Sequence, residues 1–271
     1  MRRLLLAGLF LVAGTNAAFC QSQTPAAEEA ALGAIWKLHL EATNDHSKVI
    51  SACQTFKSKS PASLLSPVVD GLAAWHLLKI NDAAAATGIL EKMLSSPSEA
   101  VNKAGAIMAK RWLTRLDREK VRLALKYIYR EAIEFPPTLD AMKTLPEAKR
   151  GPMVDRWGQT WSYRLTEFKS PNLKNLRGQR YELRSAMLAA DSDLAQALAR
   201  PYAAKINFKA DKVIVASPGN ETVEFVSTDE KPRKVVLSRG TEADGLSFSF
   251  IGSSLVVLSD GDYWTVLPRP K

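Results

Sequence analysis

The sequence predicts an α+β fold in three successive parts: N-terminal antiparallel helical hairpins, a helix packed on a small antiparallel sheet, and a C-terminal all-β meander or small barrel. Three observations carry this expectation. Helix-stop and cap signals recur through the first part of the chain, at Asn44-Asp45, Ser60-Pro61, Asn81-Asp82 and Ser96-Pro97-Ser98. A one-sided apolar stripe then breaks at Phe135-Pro136-Pro137 and leads into two alternating aromatic segments. From Lys212 onward, short β-branched runs separated by turn residues replace the helical pattern. The 271 residues, 46% hydrophobic and 24% charged, suit two or three cores of ordinary size. The corresponding division is 1–20, 21–112, 113–200 and 205–271.

The first segment reads as an address. Met1-Arg2-Arg3 is a short positive region, Leu4 to Ala13 is almost purely apolar, and Gly14, Asn16, Ala17 and Ala18 are small or polar. That is the layout of a secretory signal peptide, and the apolar run is too short to span about 30 Å of hydrocarbon. The chain is therefore expected to be exported to the periplasm or cell envelope, with no transmembrane span after removal of 1–20. Cleavage fits after Ala18 or after Cys20. A lipoprotein signal would make Cys20 the lipidated residue, although the bulky Phe19 departs from such sites. A Cys20–Cys53 bridge requires Cys20 to survive, and a buried, apolar Cys53 is the plainer expectation. The net charge of +9, or +7 without Arg2 and Arg3, suits either an anionic partner or an ordinary solvated surface. No zinc knuckle, recognition helix or aromatic-basic strand points to nucleic acid.

After a spacer from Gln21 to about Ala27, helical stretches run to roughly Glu134. Their regular punctuation predicts antiparallel hairpins. Asp70 to Ala86 resembles the inter-helix turn of a tetratricopeptide unit, but the 34-residue pattern does not recur cleanly. In the helix from Leu116 to Glu134, Val121, Leu125, Ile128, Ala132 and Phe135 recur at spacings of four and three, which gives a buried stripe. Arg118, Arg122, Lys126 and Arg130 form a basic row on another side. That row is read as a candidate partner-binding face or as the solvated side.

Pro136 and Pro137 stop the helix, because proline removes a donor and displaces the residue before it from helical geometry. Thr138 is placed to cap a short helix, Leu139 to Leu145, ended by Pro146. From Gln159 to Leu165, Trp161, Tyr163 and Leu165 alternate with Ser162 and Arg164, and Gly158 suits the tight entry turn. Arg180 to Ser185 repeats the alternation, with Tyr181 and Leu183 inward. The C-terminal strand candidates are centred on Ile214, Phe225, Val236, Phe250, Val256 and Val266. Pro218-Gly219-Asn220, Asp244-Gly245, Gly252-Ser253 and Asp260-Gly261 supply turns between them.

The ordered residues from Leu113 to roughly Ser185 resemble the C-terminal domain of the major pseudopilin of type II secretion. The resemblance rests on Phe135-Pro136-Pro137-Thr138, then Asp155-Arg156-Trp157-Gly158-Gln159-Thr160-Trp161-Ser162-Tyr163, then Tyr181-Glu182-Leu183-Arg184-Ser185. It implies a pseudopilin-like head, a relation to type II secretion or type IV pilus-like assemblies, and envelope or secretion-apparatus proteins as partners. The family's head binds calcium in a loop after its closing strand. Here Ala186-Met187-Leu188-Ala189-Ala190 intervenes before Asp191 and Asp193, so calcium is a candidate cofactor only, and Asp193 reads equally as a helix N-terminal residue. In the family a leader is cut after Gly and followed by a long apolar helix with Glu at its fifth position. Gly8 is followed instead by Leu9-Phe10-Leu11-Val12-Ala13, and a long helical region precedes the head. A filament subunit of the usual build is not implied.

Signatures of chemistry are missing from the sequence: no Gly-x-Ser-x-Gly, His-Glu-x-x-His, Ser-x-x-Lys, phosphate-cradling glycine loop or paired cysteine motif occurs. His39, His46 and His76 lack metal-ligand spacing and read as surface or core-edge residues. Asp155 beside Trp157-Gly158 suits a sugar site, but no opposed second carboxylate is evident, and a turn residue launching the Trp161 strand is the better reading. The sequence thus points to a non-catalytic exported protein acting through protein–protein contacts. The alternative is a periplasmic helical-repeat scaffold, or a polymer-binding or enzymatic protein that shares only the head's fold.

Overall fold

The computed structural model describes residues 25–42, 44–95, 100–169, 177–188, 193–215 and 221–270. The expected signal segment 1–20 with Cys20, the helix break expected at Ser96-Pro97-Ser98, Pro171, Asp191 and the turn expected at Pro218-Gly219-Asn220 lie outside them.

Cap chemistry divides the helical part at two of the expected sites, Asp45 and Asp82, whereas after Ser60-Pro61 the next helix starts only at Ser66, with Leu65 at its N-cap and no side-chain capping bond. Helices α1 (Ala26–Glu41), α2 (His46–Lys59), α3 (Ser66–Lys79) and α4 (Ala83–Leu94) lead into α5 (Ala100–Ala132). The side chain of Asp45 accepts the Lys48 N–H at 3.1 Å, and Asp82 accepts the Ala85 N–H at 3.0 Å. Each satisfies a donor that the first helical turn leaves open. Consecutive helices pack on one another, giving the hairpin arrangement.

Helix α5 is one unbroken 33-residue element, and the stretch expected from Leu116 is its C-terminal half. It ends at Ile133, which has a φ of 61° and is 70% exposed. A β-branched residue is a poor occupant of left-handed geometry, which glycine adopts freely at a helix C-terminus. Ile133→Gly is expected to stabilise the protein by about 0.5–1 kcal/mol, read as a higher urea midpoint with an unchanged slope.

The segment after the prolines differs from expectation in two respects. Thr138 stands at the N-cap position, but its side chain makes no capping hydrogen bond, and Leu139–Thr144 is a 3-10 helix. Strand β1 starts at Ser162 rather than Gln159, because Thr160 is held in an isolated bridge to Val154. β1 (Ser162–Lys169) pairs antiparallel with β2 (Arg177–Arg184), placing Tyr163 opposite Leu183 and Leu165 opposite Tyr181. After α6 (Leu194–Ala199) the chain forms a meander in two antiparallel sheets. The first is β3 (Phe208–Val215), β4 (Glu221–Ser227) and β5 (Lys234–Ser238); the second is β6 (Glu242–Ala243), β7 (Leu246–Ile251), β8 (Leu255–Ser259) and β9 (Trp264–Pro268). At the β6–β7 turn, Asp244 and Gly245 have φ of 52° and 75°, the doubly left-handed geometry that matches strand twist.

Three cores result. One lies between the two sheets, around Val223, Phe225, Phe248 and Val256. A second lies under β1 and β2, around Val121, Leu125, Met142, Trp161 and Leu183. The largest joins α1–α5 to the outer face of the second sheet, where Phe250, Val257, Trp264 and Val266 meet Leu72, Met108 and Trp112. The helices and the β-rich part therefore share an interior.

Buried polar groups fix that junction. The Glu29 carboxylate on α1 accepts the Ser253 and Ser254 N–H groups at 2.8 and 2.7 Å. Asp262 accepts from Arg111 and Arg115 of α5, while Trp112 Nε1 donates to its backbone oxygen at 2.8 Å. Among the described residues no helix is long and apolar enough to cross a membrane.

Candidate functional site

Residues from Val121 to Leu183 converge on one small interior, whereas Leu113, Leu116 and Ala197, at the two ends of the 113–200 module, belong to the largest core. Val121, Trp161 and Leu183 are buried in the small interior, and Ile128, Phe135, Tyr163 and Tyr181 pack against them. Tyr163 donates its hydroxyl to the Pro136 carbonyl at 2.7 Å, and the Phe135 N–H donates to Gln179 Oε1 at 2.7 Å. Phe135 is thereby pinned to β2 and Pro136 to β1. Tyr129, Phe135, Tyr181 and Tyr163 continue as a row of ring contacts at 4.5, 4.8 and 5.9 Å between neighbours. Pro136 is buried, whereas Pro137 and Thr138 are exposed beside it.

Asp155 organises the turn into β1. Its Oδ1 accepts the Trp157 and Gln159 N–H groups at 2.9 and 3.0 Å, and its Oδ2 accepts the Ser185 hydroxyl at 2.7 Å. Gly158, with a φ of 76°, closes that turn. One buried carboxylate thus ties the entrance of β1 to the exit of β2, and both of its oxygens are used structurally. Trp157 is half-buried and contributes its backbone N–H to the turn. Arg156 reaches the other way, to Asp117 on α5 and Glu91 on α4, and so docks the turn onto the helices.

The basic row splits in two. Arg118 is half-buried, donating to the Leu183 carbonyl at 2.9 Å and to Asp193 at 3.3 Å. Arg122 is exposed but paired with Glu119 at 2.6 Å. Lys126 and Arg130 are exposed and remain the outward-facing cations of the row. Asp193 uses its other oxygen to cap α6 at the Gln196 N–H, 3.1 Å away. This is the helix N-terminal role; its companion in the calcium expectation, Asp191, lies outside the described residues.

What the sequence reading missed is the meeting of all three histidines. His39 Nε2 lies 3.0 Å from the Tyr202 carbonyl, His39 Nδ1 lies 3.0 Å from His76 Nε2, and His46 Nδ1 lies 2.9 Å from His76 Nδ1. The three rings come from α1, α2 and α3, and Trp36, Trp75 and Tyr202 wall them. His39 and His76 are buried, while His46 is half-exposed at the α2 N-terminus. Burial, reinforced by the neighbouring histidines and Lys79, holds His76 down to about 3. Burial also lowers His39 and His46. A signal existed in the sequence: His39 continues the inward stripe of Leu32, Ile35 and Trp36, and His76 sits inside an apolar run. Only the tertiary packing shows that the stripes meet.

These contacts use different nitrogens of His76, so the rings do not converge on one point. Among the described residues no group of His, Cys, Asp and Glu has the geometry to hold a metal ion. Elsewhere, a cleft of about 570 Å³ opens between α5 and the turns of the second sheet, beside Lys103, Arg111 and Arg239. An apolar groove of about 670 Å³ runs between α1 and α2. No family model, curated protein or solved structure matches the chain.

Proposed function

We propose that the chain is an exported, non-catalytic envelope protein that works through protein–protein contacts, with its 113–200 module acting as a pseudopilin-like docking head. Its partners are components of an assembly of the type II secretion or type IV pilus kind. One observation supports this reading above the others. The residues that carry the resemblance, from Phe135-Pro136 through Asp155 and Trp161 to Tyr181 and Ser185, are brought to the wall of a single core by α5. Lys126 and Arg130 give that module an outward cationic edge for an acidic partner.

The test is crosslinking in the intact envelope followed by affinity capture. Secretion or pilus components are expected with the native chain. A Lys126→Glu, Arg130→Glu double variant is expected to recover several-fold less while keeping the same thermal midpoint, since exposed charges contribute little to folding. Capture without such components overturns the proposal. Capture of other envelope proteins, insensitive to the two charge reversals, would instead favour the helical-repeat scaffold.

A further inference from the structure

The three histidines form one hydrogen-bonded chain whose proton order is fixed, and that order limits how it responds to acid. The Tyr202 carbonyl can only accept, so His39 carries its proton on Nε2 and presents Nδ1 as an acceptor. His76 must then donate from Nε2, which leaves its Nδ1 to accept from Nδ1–H of His46. The remaining ring nitrogen, Nε2 of His46, has no partner among the described residues. A first proton added there breaks nothing. A second has to go to Nδ1 of His76 or of His39, each already facing an N–H, and one link must open.

We propose that this chain is a pH-sensitive latch that ties α1, α2 and α3 to the segment 200–204 while its rings are neutral, and that acidification releases the α1–α2 hairpin. The surrounding charges favour such a response. On the α2 side Asp45 promotes protonation of His46, and on α3 Lys79 opposes it. Lys79 also acts against a charge on His76, and among the described residues no carboxylate is a cause of the shift at His39 or His76. Beyond Tyr202 lie Tyr263, with Arg200 over its ring, and the more distant Asp260 and Cys53. Among the described residues none of these groups hydrogen-bonds to an imidazole. A charge inside the closed latch is therefore uncompensated, whereas in the open form each ring is hydrated and titrates near 6.5. The closed form then binds fewer protons than the open one, so closure is favoured above about pH 6.5 and is lost as pH falls below it. For two such rings, pH 5 raises the open-to-closed ratio about 30-fold each, or about 1000-fold together.

The latch stands apart from the docking proposal, and its test uses the full chain. With only three histidines, ¹⁵N spectra at pH 7.5 resolve every ring nitrogen. The expected tautomers are Nε2–H for His39 and His76 and Nδ1–H for His46. Amide hydrogen exchange, corrected for the chemical rate, is expected to show α1 and α2 losing protection between pH 7.5 and 5 while β7–β9 keep theirs. His76→Gln retains a donor and an acceptor without titrating, and is expected to flatten this dependence by about tenfold per pH unit. If that variant does not fold, the tautomers and exchange of the native chain decide. Any other tautomer pattern, unchanged protection of α1 and α2 at pH 5, or their loss together with β7–β9 overturns the proposal.

Discussion

Asp262→Ala is expected to destabilise the protein by about 3–5 kcal/mol, because it removes the carboxylate that pairs with the buried Arg115 guanidinium. Arg115 Nη1 lies 2.6 Å from Asp262 Oδ1, with the two side chains 1% and 6% exposed. Arg111 completes the site with a forked pair at 2.7 and 2.8 Å, a geometry that adds direction to the attraction. Burial pushes the Asp262 carboxyl up, but hydrogen bonds from Arg111 and Arg115 outweigh it and leave it below the ordinary carboxylate range. Its contribution is therefore present at neutral pH and lost as pH falls from about 3.8, the unperturbed value, through the lower folded one. That window lies below the start of the histidine window, so the two acid losses are separable in one titration.

The check is a double-mutant cycle in urea. Asp262→Ala alone should lower stability most. Adding Arg115→Met should return part of the loss, because the stranded charge leaves with the arginine. Strict additivity would show that the pair does not interact. Since Asp262 bridges the second sheet to α5, the single variant should also uncouple the helices from the β-rich part, giving two unfolding transitions where the native chain gives one.

How far the sequence foretold this molecule depends on the range of the interaction involved. Asp45 and Asp82 were legible because an N-cap acts within three residues, and the strand faces of Trp161, Tyr163 and Tyr181 because pleat alternation is local. The role of Asp155 in fixing the turn before Trp161 was legible for the same reason, though not its bonds to the Trp157 and Gln159 amides. The unbroken length of α5 was not. Its N-terminal half packs on other helices and the second sheet, its C-terminal half packs on β1 and β2, and the apolar stripe changes side between them. Thr138 looked like a cap by type, but the short 3-10 segment it precedes makes no use of its hydroxyl. The histidine chain and the Asp262 site join positions 30 to 163 residues apart, and no periodicity along the chain encodes such pairs.

Trp161→Ala is expected to cost about 3–5 kcal/mol, the usual penalty for emptying a buried indole site. Trp161 is buried in the second core, and its Nε1 donates to the Pro152 carbonyl at 2.8 Å. Truncation thus opens a cavity and leaves that carbonyl without its donor. Gly151→Ala attacks the same core from the opposite wall without touching the indole. A Cβ at Gly151 would lie 2.6 Å from Val121 Cα, and the backbone of α5 cannot retreat as a flexible side chain would. Both substitutions should release the amides of β1, β2 and the C-terminal half of α5 into faster hydrogen exchange, and leave α1–α3 protected. A loss confined in this way would make the part from Val121 to Leu183 a cooperative unit mounted on an intact helical scaffold. The same variants should then abolish capture of envelope partners while the histidine tautomers stay in place, because the docking surface and the latch belong to different cores. If Gly151→Ala leaves stability unchanged, the close seat of the 150–153 loop on α5 is wrong, and the shared interior on which the docking head depends is wrong with it.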